Sequence, residues 1–248
     1  MTASGGPGEV LLRPAVEADL PAVAELLLAA RAAAVPAMPP VPPGAVDVVR
    51  RDVATWDLER RETWLAEPAS ADGPTGPLAF VTLADDWLES LYVAPAAQRA
   101  GVGSLLLDLA RALRPGGFCL WVLAANAPAR AFYAAHGLVE LETTDGSRNP
   151  EGVPDVRVAW PGADPLVFYR RLIDDADDDL GEVLSRRAAL TRAVQAAKGH
   201  DAPRDPGREA AVAARVARGA PALGADRVAE VVEVVIRTGL EAARPDHG

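Results

Sequence analysis

The sequence predicts two domains of different class: an α/β (α+β) domain with a mixed sheet, followed by an all-α domain of three helices. The 248 residues exceed the length of one average domain. All five tryptophans lie before residue 161, so the composition changes at Trp160-Pro161-Gly162. Strand-like and helical patterns mix before that point, whereas only helical periodicity follows it. We therefore expect one domain at residues 1–162 and the other at 163–248.

The first domain is predicted to start with a strand at 10–13 and an amphipathic helix at 17–33. Residues 34–43 are rich in proline and form a loop, and a second helix spans 47–58. A meander of three strands follows at 62–66, 78–83 and 87–93. The remaining elements are, in order, a helix at 103–113, a strand at 118–124, a helix at 129–136 and closing strands at 138–143 and 156–160.

A glycine-containing turn connects the strand at 87–93 to the next helix. Its sequence is Gln98-Arg99-Ala100-Gly101-Val102-Gly103. Glycines let the backbone curl so that several N–H groups face one anion at a helix N-terminus. A tight strand–helix turn needs the same residues, and the pattern is neither a dinucleotide fingerprint nor a P-loop. Alone, it indicates a phosphate site only weakly.

A second motif lies about 25 residues later, from Asn126 to Leu138, with the sequence N-A-P-A-R-A-F-Y-A-A-H-G-L. It resembles the second signature of the GNAT acyltransferases, and residues 98–103 resemble their pyrophosphate loop. Strand order and spacing agree with that family over residues 8–162. The resemblance implies acetyl-CoA as co-substrate. It assigns the binding of acetyl-CoA to the loop residues, to Asn126, and to a splayed strand edge formed by Leu91, Tyr92 and Val93.

In the GNAT family an amine attacks the thioester directly, so a base must take a proton and an acid must protect the leaving thiolate. Tyr133 matches the family's acid position; the alternative is a tyrosine packed in the core. Glu89 lies on the strand that faces the expected amine site and is a candidate base; the alternative is an exposed strand carboxylate. Cys119 is expected to be a core strand residue. The amine itself has no signature in the sequence.

The second domain opens with a predicted helix at 165–198, about 34 residues and about 51 Å long. Asp164-Pro165 supplies an N-cap and a first helical residue. That length is typical of a coiled-coil or intertwined partner. Steps of three and four residues place a stripe on one face of the helix, and its members are Arg170, Ile173, Asp177, Leu180, Leu184, Arg187, Thr191, Val194 and Lys198.

Lys198 is the only lysine among 25 basic residues, which indicates a position where a point charge is needed rather than a guanidinium fork. Arg187 lies 11 residues before it, about 16 Å, and the two side chains can close around an anion. Arg170 lies 17 residues before Arg187, about 25 Å, so it can join that site only from a second, antiparallel copy of the helix. Alternatively, these cations extend into solvent or pair with the acidic residues at 174–179.

A short loop follows Lys198, and Asp205 is the predicted N-cap of a second helix with Pro206 at its first position. Arg208 and Glu209 lie in the first turn of that helix. A third helix is predicted at 226–243, and its apolar face contains Val228, Val231, Val232, Val235 and Ile236.

Residues 165–243 resemble the all-helical (type II) chorismate mutases, which are intertwined dimers of three-helix chains. Six residues match that family's motif in order: Arg170, Arg187, Lys198, Asp205, Arg208 and Glu209. The resemblance implies a homodimer that converts chorismate to prephenate, with Lys198 beside the ether oxygen and Glu209 at the substrate hydroxyl. One position departs, because Ala243 stands where the family usually has glutamine. Two alternatives therefore remain: a non-catalytic dimerisation or chorismate-sensing module, and an isochorismate-pyruvate lyase.

Composition narrows the remaining classes. A net charge of −10 argues against a nucleic-acid partner, and no apolar run reaches the roughly 18 residues of a membrane helix. The first residues lack the pattern of a signal peptide, and one cysteine excludes an intramolecular disulfide. The three histidines, His136, His200 and His247, have no metal-like spacing. We therefore expect a cytoplasmic, metal-free, bifunctional enzyme that acts on small molecules.

Overall fold

The computed structural model describes residues 9–69, 76–198 and 204–243. The chain divides into two compact units, Met1–Tyr169 and Arg170–Gly248, and each is described by itself. His200, His247 and most of the predicted loop after Lys198 lie outside the described residues. The division into functional domains at 162/163 stays a prediction.

In the described part of the first unit, seven strands form one mixed sheet in the order β1-β2-β3-β4-β5-β7-β6. Neighbouring strands are antiparallel except β4 and β5, which are parallel. The structure thus confirms the predicted mixed sheet and its meander β2-β3-β4. The strands are β1 (Val10–Pro14), β2 (Glu62–Pro68), β3 (Ala79–Ala84), β4 (Trp87–Val93), β5 (Phe118–Leu123), β6 (Val139–Thr143) and β7 (Asp155–Trp160).

Four α-helices of the first unit are α1 (Leu20–Ala33), α2 (Val46–Ala54), α3 (Val102–Leu113) and α4 (Ala127–Ala135). Phe80 and Val81 are neighbours in β3, so their side chains point to opposite faces of the sheet. Phe80 packs in a core with α1 and α2, whereas Val81 packs in a core with α3 and with Tyr133 of α4. Helices therefore cover both faces of the sheet. The gap between β4 and β5, described below, connects the two faces.

Two predicted helices of this unit have different bounds. The helix predicted at 47–58 ends at Ala54, because the Thr55 and Trp56 N–H groups turn back to carbonyls of the last turn and the Trp56 ring packs near Phe80, 6.3 Å between centroids. The helix predicted at 17–33 begins with a 3₁₀ turn at Glu17–Asp19. There the Asp19 carboxylate accepts from the Val16 N–H.

The parallel strands β4 and β5 diverge soon after they meet. Their pairing comprises Trp87 with Cys119, and the C-terminal half of β4 has no β5 partner among the described residues. On its other side β4 stays paired with β3, through a β-bulge in which Thr82 faces Ser90 and Leu83 faces Leu88. Glu89 is therefore the extra residue of the bulge, a feature that often re-aims side chains beside active sites.

The helical region comprises α5 (Pro165–Lys198), α6 (Pro206–Gly219) and α7 (Ala225–Glu241). The bounds of α5 are those predicted, and the Asp164 carboxylate caps it by accepting from the Val167 N–H at 3.2 Å. Its first turn still belongs to the first unit, where Phe168 is 1% exposed and its ring lies against Gly117. Gly117 has φ +98°, and any side chain there would collide with that ring.

Within the second unit, α6 packs on α7, where Val228 and Val232 are buried. The third helix ends at Glu241, two residues earlier than predicted, and Ala243 lies in the turn that follows with its N–H bonded to Leu240 O. Val231 was predicted on the apolar face but is exposed, because α7 directs Val228, Val232 and Gly239 inward instead.

The predicted stripe of α5 is not covered in a single chain. Ile173, Leu180 and Val194 are 59%, 53% and 48% exposed. Soluble monomers rarely leave such a row of large apolar side chains in water, so the stripe indicates an interaction surface.

Candidate functional site

The loop between β4 and α3 has the conformation that an anion site needs. Arg99 and Gly101 both adopt left-handed backbone angles, φ +62° and +85°, and α3 begins directly afterwards at Val102. The first-turn N–H groups of a helix have no intrahelical acceptor. The backbone N–H groups of Val102 and Gly103, and that of Ala100 just before the helix, are available to a phosphate at the positive end of the α3 dipole. The predicted residues 98–103 therefore form one continuous turn.

Two contacts attach this loop to the end of β4. The Gln98 side-chain amide donates to Val93 O at 3.3 Å. A side chain at Gly103 would meet Val93 Cγ2 at 3.4 Å and the Phe132 ring at 3.6 Å, so glycine keeps α3 close to both β4 and α4. The loop and the strand edge thus form one surface.

The edge of β4 at Leu91, Tyr92 and Val93 faces the gap that opens between β4 and β5. All three residues are half-buried. Backbone groups on this side of β4 have no β5 partner in the described structure, so they are free to pair with an extended amide ligand, as in strand addition. This geometry matches the splayed edge that the sequence predicts.

Tyr133 lies on α4, is 7% exposed, and packs edge-on against Phe132. Burial raises the pKa of its hydroxyl, and nearby Tyr92 raises it further. Burial also raises the pKa of Tyr92. Tyr92 packs with the α1 core and Tyr133 with the α3 core, on opposite faces of the sheet. Both stay protonated at neutral pH, which a general acid requires.

Two other predicted residues already have partners. The Glu89 carboxylate accepts from Arg61 Nε at 2.5 Å, and the Arg61 guanidinium stacks over Trp56 at 4.6 Å. Arg61 therefore occupies one oxygen of the carboxylate that a base would need. Asn126 caps α4 by accepting from Ala129 N–H at 3.2 Å. This gives Asn126 a structural role, and its predicted contact with acetyl-CoA stays a prediction.

One polar pair at the loop was not predicted. Ser104, in the first turn of α3, lies 2.9 Å from His136 Nε2, and His136 Nδ1 lies 2.8 Å from Phe132 O. The carbonyl must accept, so Nδ1 carries a proton, and Ser104 Oγ is the hydrogen-bond partner of Nε2. Cys119 is buried in β5, as predicted. Within residues 9–69, 76–198 and 204–243, no group of three or more His, Cys, Asp and Glu side chains is arranged to hold a metal.

In the second unit, Arg187 is fixed against α7. Its Nη1 donates to Val235 O at 3.0 Å, and a side chain at Gly239 would approach the same nitrogen at 3.2 Å. A glycine at this position lets the guanidinium lie on the helix backbone. Arg170, Lys198 and Arg208 are exposed in a single chain, and their place in one site with Arg187 stays a prediction.

The first turn of α6 has the predicted cap. Asp205 accepts from Arg208 N–H at 3.0 Å. Glu209 forms two hydrogen bonds with Arg204, at 2.8 and 2.6 Å, and this partner holds the pKa of the Glu209 carboxyl below its usual range. The contact of Arg204 with Glu209 was not predicted. The sequence around an arginine before an N-cap does not indicate which carboxylate its guanidinium will bind.

Gln195 was also missed. It lies eight residues after Arg187 and three before Lys198, on the border of the same face of α5. Its Oε1 is buried and has no hydrogen-bond partner in the described structure. Such a group is rare in native structures and calls for a ligand or another partner.

The sheet with its divergent central strands and left-handed loop defines the first unit as an acyltransferase-type fold. The helical region is of a different class. The family model "Acetyltransferase (GNAT) domain" matches residues 59–140, and "Chorismate mutase type II" matches residues 169–243. The chain therefore combines a GNAT acetyltransferase domain with a chorismate mutase type II domain, and both domains indicate an enzyme.

Two of the solved structures that are similar to this chain illustrate the match. The apo form of YjaB from Escherichia coli is 17% identical with a TM-score of 0.50, and the match covers 62% of this chain and 99% of that chain. The PaiA N-acetyltransferase from Thermoplasma acidophilum, in complex with coenzyme A, is 15% identical with a TM-score of 0.47, covering 62% and 99%. No curated protein matches the chain significantly. None of the described helices is long and apolar enough to cross a membrane.

Proposed function

We propose that residues 1–162 transfer an acetyl group from acetyl-CoA to an amine. The observation that carries this proposal is the gap between β4 and β5 beside the loop at 98–103. Acetyl-CoA supplies the thioester. The loop N–H groups and Gln98 are suited to the pyrophosphate, and the edge at 91–93 is suited to the amides of the pantetheine arm.

The chemistry follows from the groups beside the gap. The amine nitrogen attacks the thioester carbon, and the C–S bond breaks. Tyr133, whose hydroxyl stays protonated, donates its proton to the thiolate. Once the Glu89 carboxylate has separated from Arg61, it accepts the proton of the amine directly or through a water. The burial of Tyr133 supports its role, whereas the ion pair of Glu89 makes it the weaker assignment.

The test is the release of coenzyme A thiol from acetyl-CoA with a panel of primary amines. Gly101→Val is the matched variant, because a β-branched residue is strained at φ +85°. We expect acetyl-CoA affinity, measured by calorimetry, to fall at least tenfold. Gly76→Val, at φ +101° but outside the site, is the control for strain alone. Unchanged affinity of Gly101→Val would remove the loop from the binding site.

We propose further that residues 163–248 convert chorismate to prephenate as a homodimer. The exposed stripe of α5 supports the dimer, and the 17-residue spacing of Arg170 and Arg187 supports a site shared between two copies. Arginine forks suit the two carboxylates, and the Lys198 ammonium suits the ether oxygen. Asp205 orders the first turn of α6, which presents Arg208 and Glu209.

The rearrangement needs no covalent catalyst, so holding the reactive conformation and stabilising developing charge are sufficient. The test is to incubate the protein with chorismate and follow its ultraviolet absorbance. Appearance of prephenate supports the mutase. Binding without loss would favour the sensing module, for which Ala243 is the motivating residue. Release of pyruvate from isochorismate would favour the lyase.

A further inference from the structure

An apolar cavity of about 430 Å³ lies in the first unit. Three segments line it: the proline-rich residues 35–40 after α1, residues 123–125 at the end of β5, and residues 153–154 before β7. Every side chain in these segments is apolar. A volume of this size is typical of a pocket for a small organic molecule.

The cavity adjoins the strand gap. Residue 123 is the last residue of β5, the strand that bounds the gap opposite β4, and parallel strands end at the same edge of a sheet. The backbone there is fixed, because Ala124 N–H donates to Pro154 O at 2.9 Å and Arg130 donates to Ala124 O at 3.0 Å. A molecule in the cavity therefore lies beside the end of the gap between β4 and β5.

Two charged side chains near the cavity, Arg31 and Glu151, neutralise each other. Arg31 and Glu151 form an ion pair of 2.9 Å, with side chains 17% and 22% exposed. Arg31 precedes one lining segment by four residues, and Glu151 precedes another by two. Both charges act on Tyr92, in opposite directions. Since Arg31 neutralises Glu151, this pair offers no net negative charge to the second cation of a polyamine, and the carboxylate of Asp155, next to Pro154, already accepts from Thr144 and Asn149.

Building on the proposed acetyl transfer, we infer that the acceptor is a monoamine with an apolar, ring-sized or branched body, which occupies this cavity while its nitrogen points to the gap. A polyamine or an aminosugar with several ammonium groups would place unpaired charge against apolar walls and is disfavoured. Burial of the apolar body contributes to binding because it removes apolar surface from water.

The experiment compares kcat/KM for acetylation of 2-phenylethylamine and of spermidine by the full chain. We expect the aromatic amine to be preferred at least tenfold. Met38→Glu, inside the cavity lining, should lower the rate with 2-phenylethylamine at least tenfold and raise the relative rate with spermidine. Val139→Glu, an exposed apolar position on β6, is the matched control and should leave the preference unchanged. Acetyl-CoA affinity checks that each variant is folded.

The outcomes separate the two levels of the proposal. If no amine releases coenzyme A thiol, the proposed acetyl transfer itself is wrong. If spermidine is the better acceptor, the transferase stands and the inference about the acceptor is wrong. If the aromatic amine is preferred but Met38→Glu leaves the preference unchanged, the acceptor does not occupy this cavity.

A different observation carries a second inference, on the helical site. Thr191 lies one turn after Arg187 on α5, and both approach Gly239 of α7. Arg187 donates to Val235 O and Thr191 lies at Gly239, so α5 and α7 advance in the same direction where they meet. One further turn brings Gln195 on α5 level with Ala243 after α7, where a small buried side chain leaves room for a long one. The buried Oε1 of Gln195 has no protein partner.

Resting on the proposed chorismate site, we infer that the Gln195 amide binds an oxygen-bearing group of the ligand between Arg187 and Lys198. An amide can donate or accept, and a buried amide end without a partner loses stability until a ligand pairs with it. Gln195 thus belongs to the substrate-binding residues of this site.

The test measures chorismate turnover and binding with Gln195→Ala and Gln195→Glu, with the exposed Arg192→Ala as control. Gln195→Ala should lower kcat/KM at least tenfold. Because the unpartnered atom is the acceptor Oε1, Gln195→Glu keeps an acceptor there, so its turnover should persist at neutral pH and fall at acid pH, where its carboxyl is protonated. A purely structural role would not move the pH profile. Full activity of Gln195→Ala overturns the inference, and absence of both turnover and binding in the wild type overturns the chorismate site itself.

Discussion

The two units differ in how much of their apolar side-chain surface is buried within one chain. The first unit encloses Phe80, Leu106 and Phe118 completely, and its sheet is covered by helices from its own chain. The second leaves Ile173, Leu180 and Leu190 more than half exposed on its longest helix. The core of the first unit is therefore closed by its own chain. The second has the apolar surface of a protein whose core is shared, and function in the two units should depend differently on a second copy.

The largest expected effect comes from charging the exposed stripe. The variant with Ile173→Glu and Leu180→Glu places four carboxylates in each dimer seam, so we expect a monomer by sedimentation and complete loss of mutase activity. Acetyl transfer should persist, because its site lies within one unit. Ala189→Glu, exposed on the opposite side of α5, is the control. A dimer that survives the double substitution would remove α5 from the interface.

The next effect concerns Lys198. Lys198→Ala should lower mutase kcat by about a thousandfold, since loss of one preorganised donor costs a factor of that order. Lys198→Arg should recover little, because a wide fork replaces a point charge. A rate series with chorismate is the measurement. Full activity of Lys198→Arg would show that the only lysine has no special role.

Mixed dimers of two inactive variants test whether each mutase site takes residues from both chains. If Arg170 reaches the site of the other copy, Arg170→Ala and Lys198→Ala chains form mixed dimers with one intact site each. After random exchange, about a quarter of wild-type mutase activity should return, since half the dimers are mixed and half of their sites are intact. Recovery is measured against each variant alone. No recovery, despite proven subunit exchange, would place Arg170 and Lys198 in the same chain's site or in none.

A smaller effect is expected for Tyr133→Phe. Loss of a general acid should lower acetyl transfer by about a hundredfold with unchanged acetyl-CoA affinity. Because burial raises the pKa of Tyr133, the neutral form persists, and the wild-type rate should show no loss through ionisation of this tyrosine up to about pH 10. The raised pKa also links protein stability to pH. The stabilisation from the neutral Tyr133 hydroxyl is fully present below the pKa of tyrosine in the unfolded chain, and it is lost as the pH rises above that value. Tyr133→Phe should unfold less readily than wild type at high pH.

The elements that sequence predicts best are those with local signals. The 34-residue helix begins with an aspartate cap and a proline, and its bounds are as predicted. Strand β4 is likewise as predicted, from Trp87 to Val93. The second helix was predicted too long, because its end depends on Trp56 packing near Phe80, a contact between distant segments. Local patterns contain no information on such contacts.

The candidate sites divide in the same way. The loop at 98–103 was found because its two glycines, Gly101 and Gly103, lie within one short sequence motif. The ion pair of Glu89 with Arg61 spans 28 residues, and the coupling of Tyr92 with Tyr133 spans 41, so neither appears in any local motif. Gln195 escaped notice because its importance lies in a missing partner, which only burial reveals.

Phe168 decides how the two halves of this protein can be separated. It comes after the composition change at residues 160–162, yet its ring fills the space beside Gly117 in the first unit. A polypeptide cut after residue 162 would lack that ring, and loss of a buried phenylalanine side chain costs about 3–5 kcal/mol. The joint between the two halves is therefore a shared helix rather than a linker. An acetyltransferase prepared on its own should extend at least to Tyr169, and any natural exchange of the helical half would have to preserve this first turn.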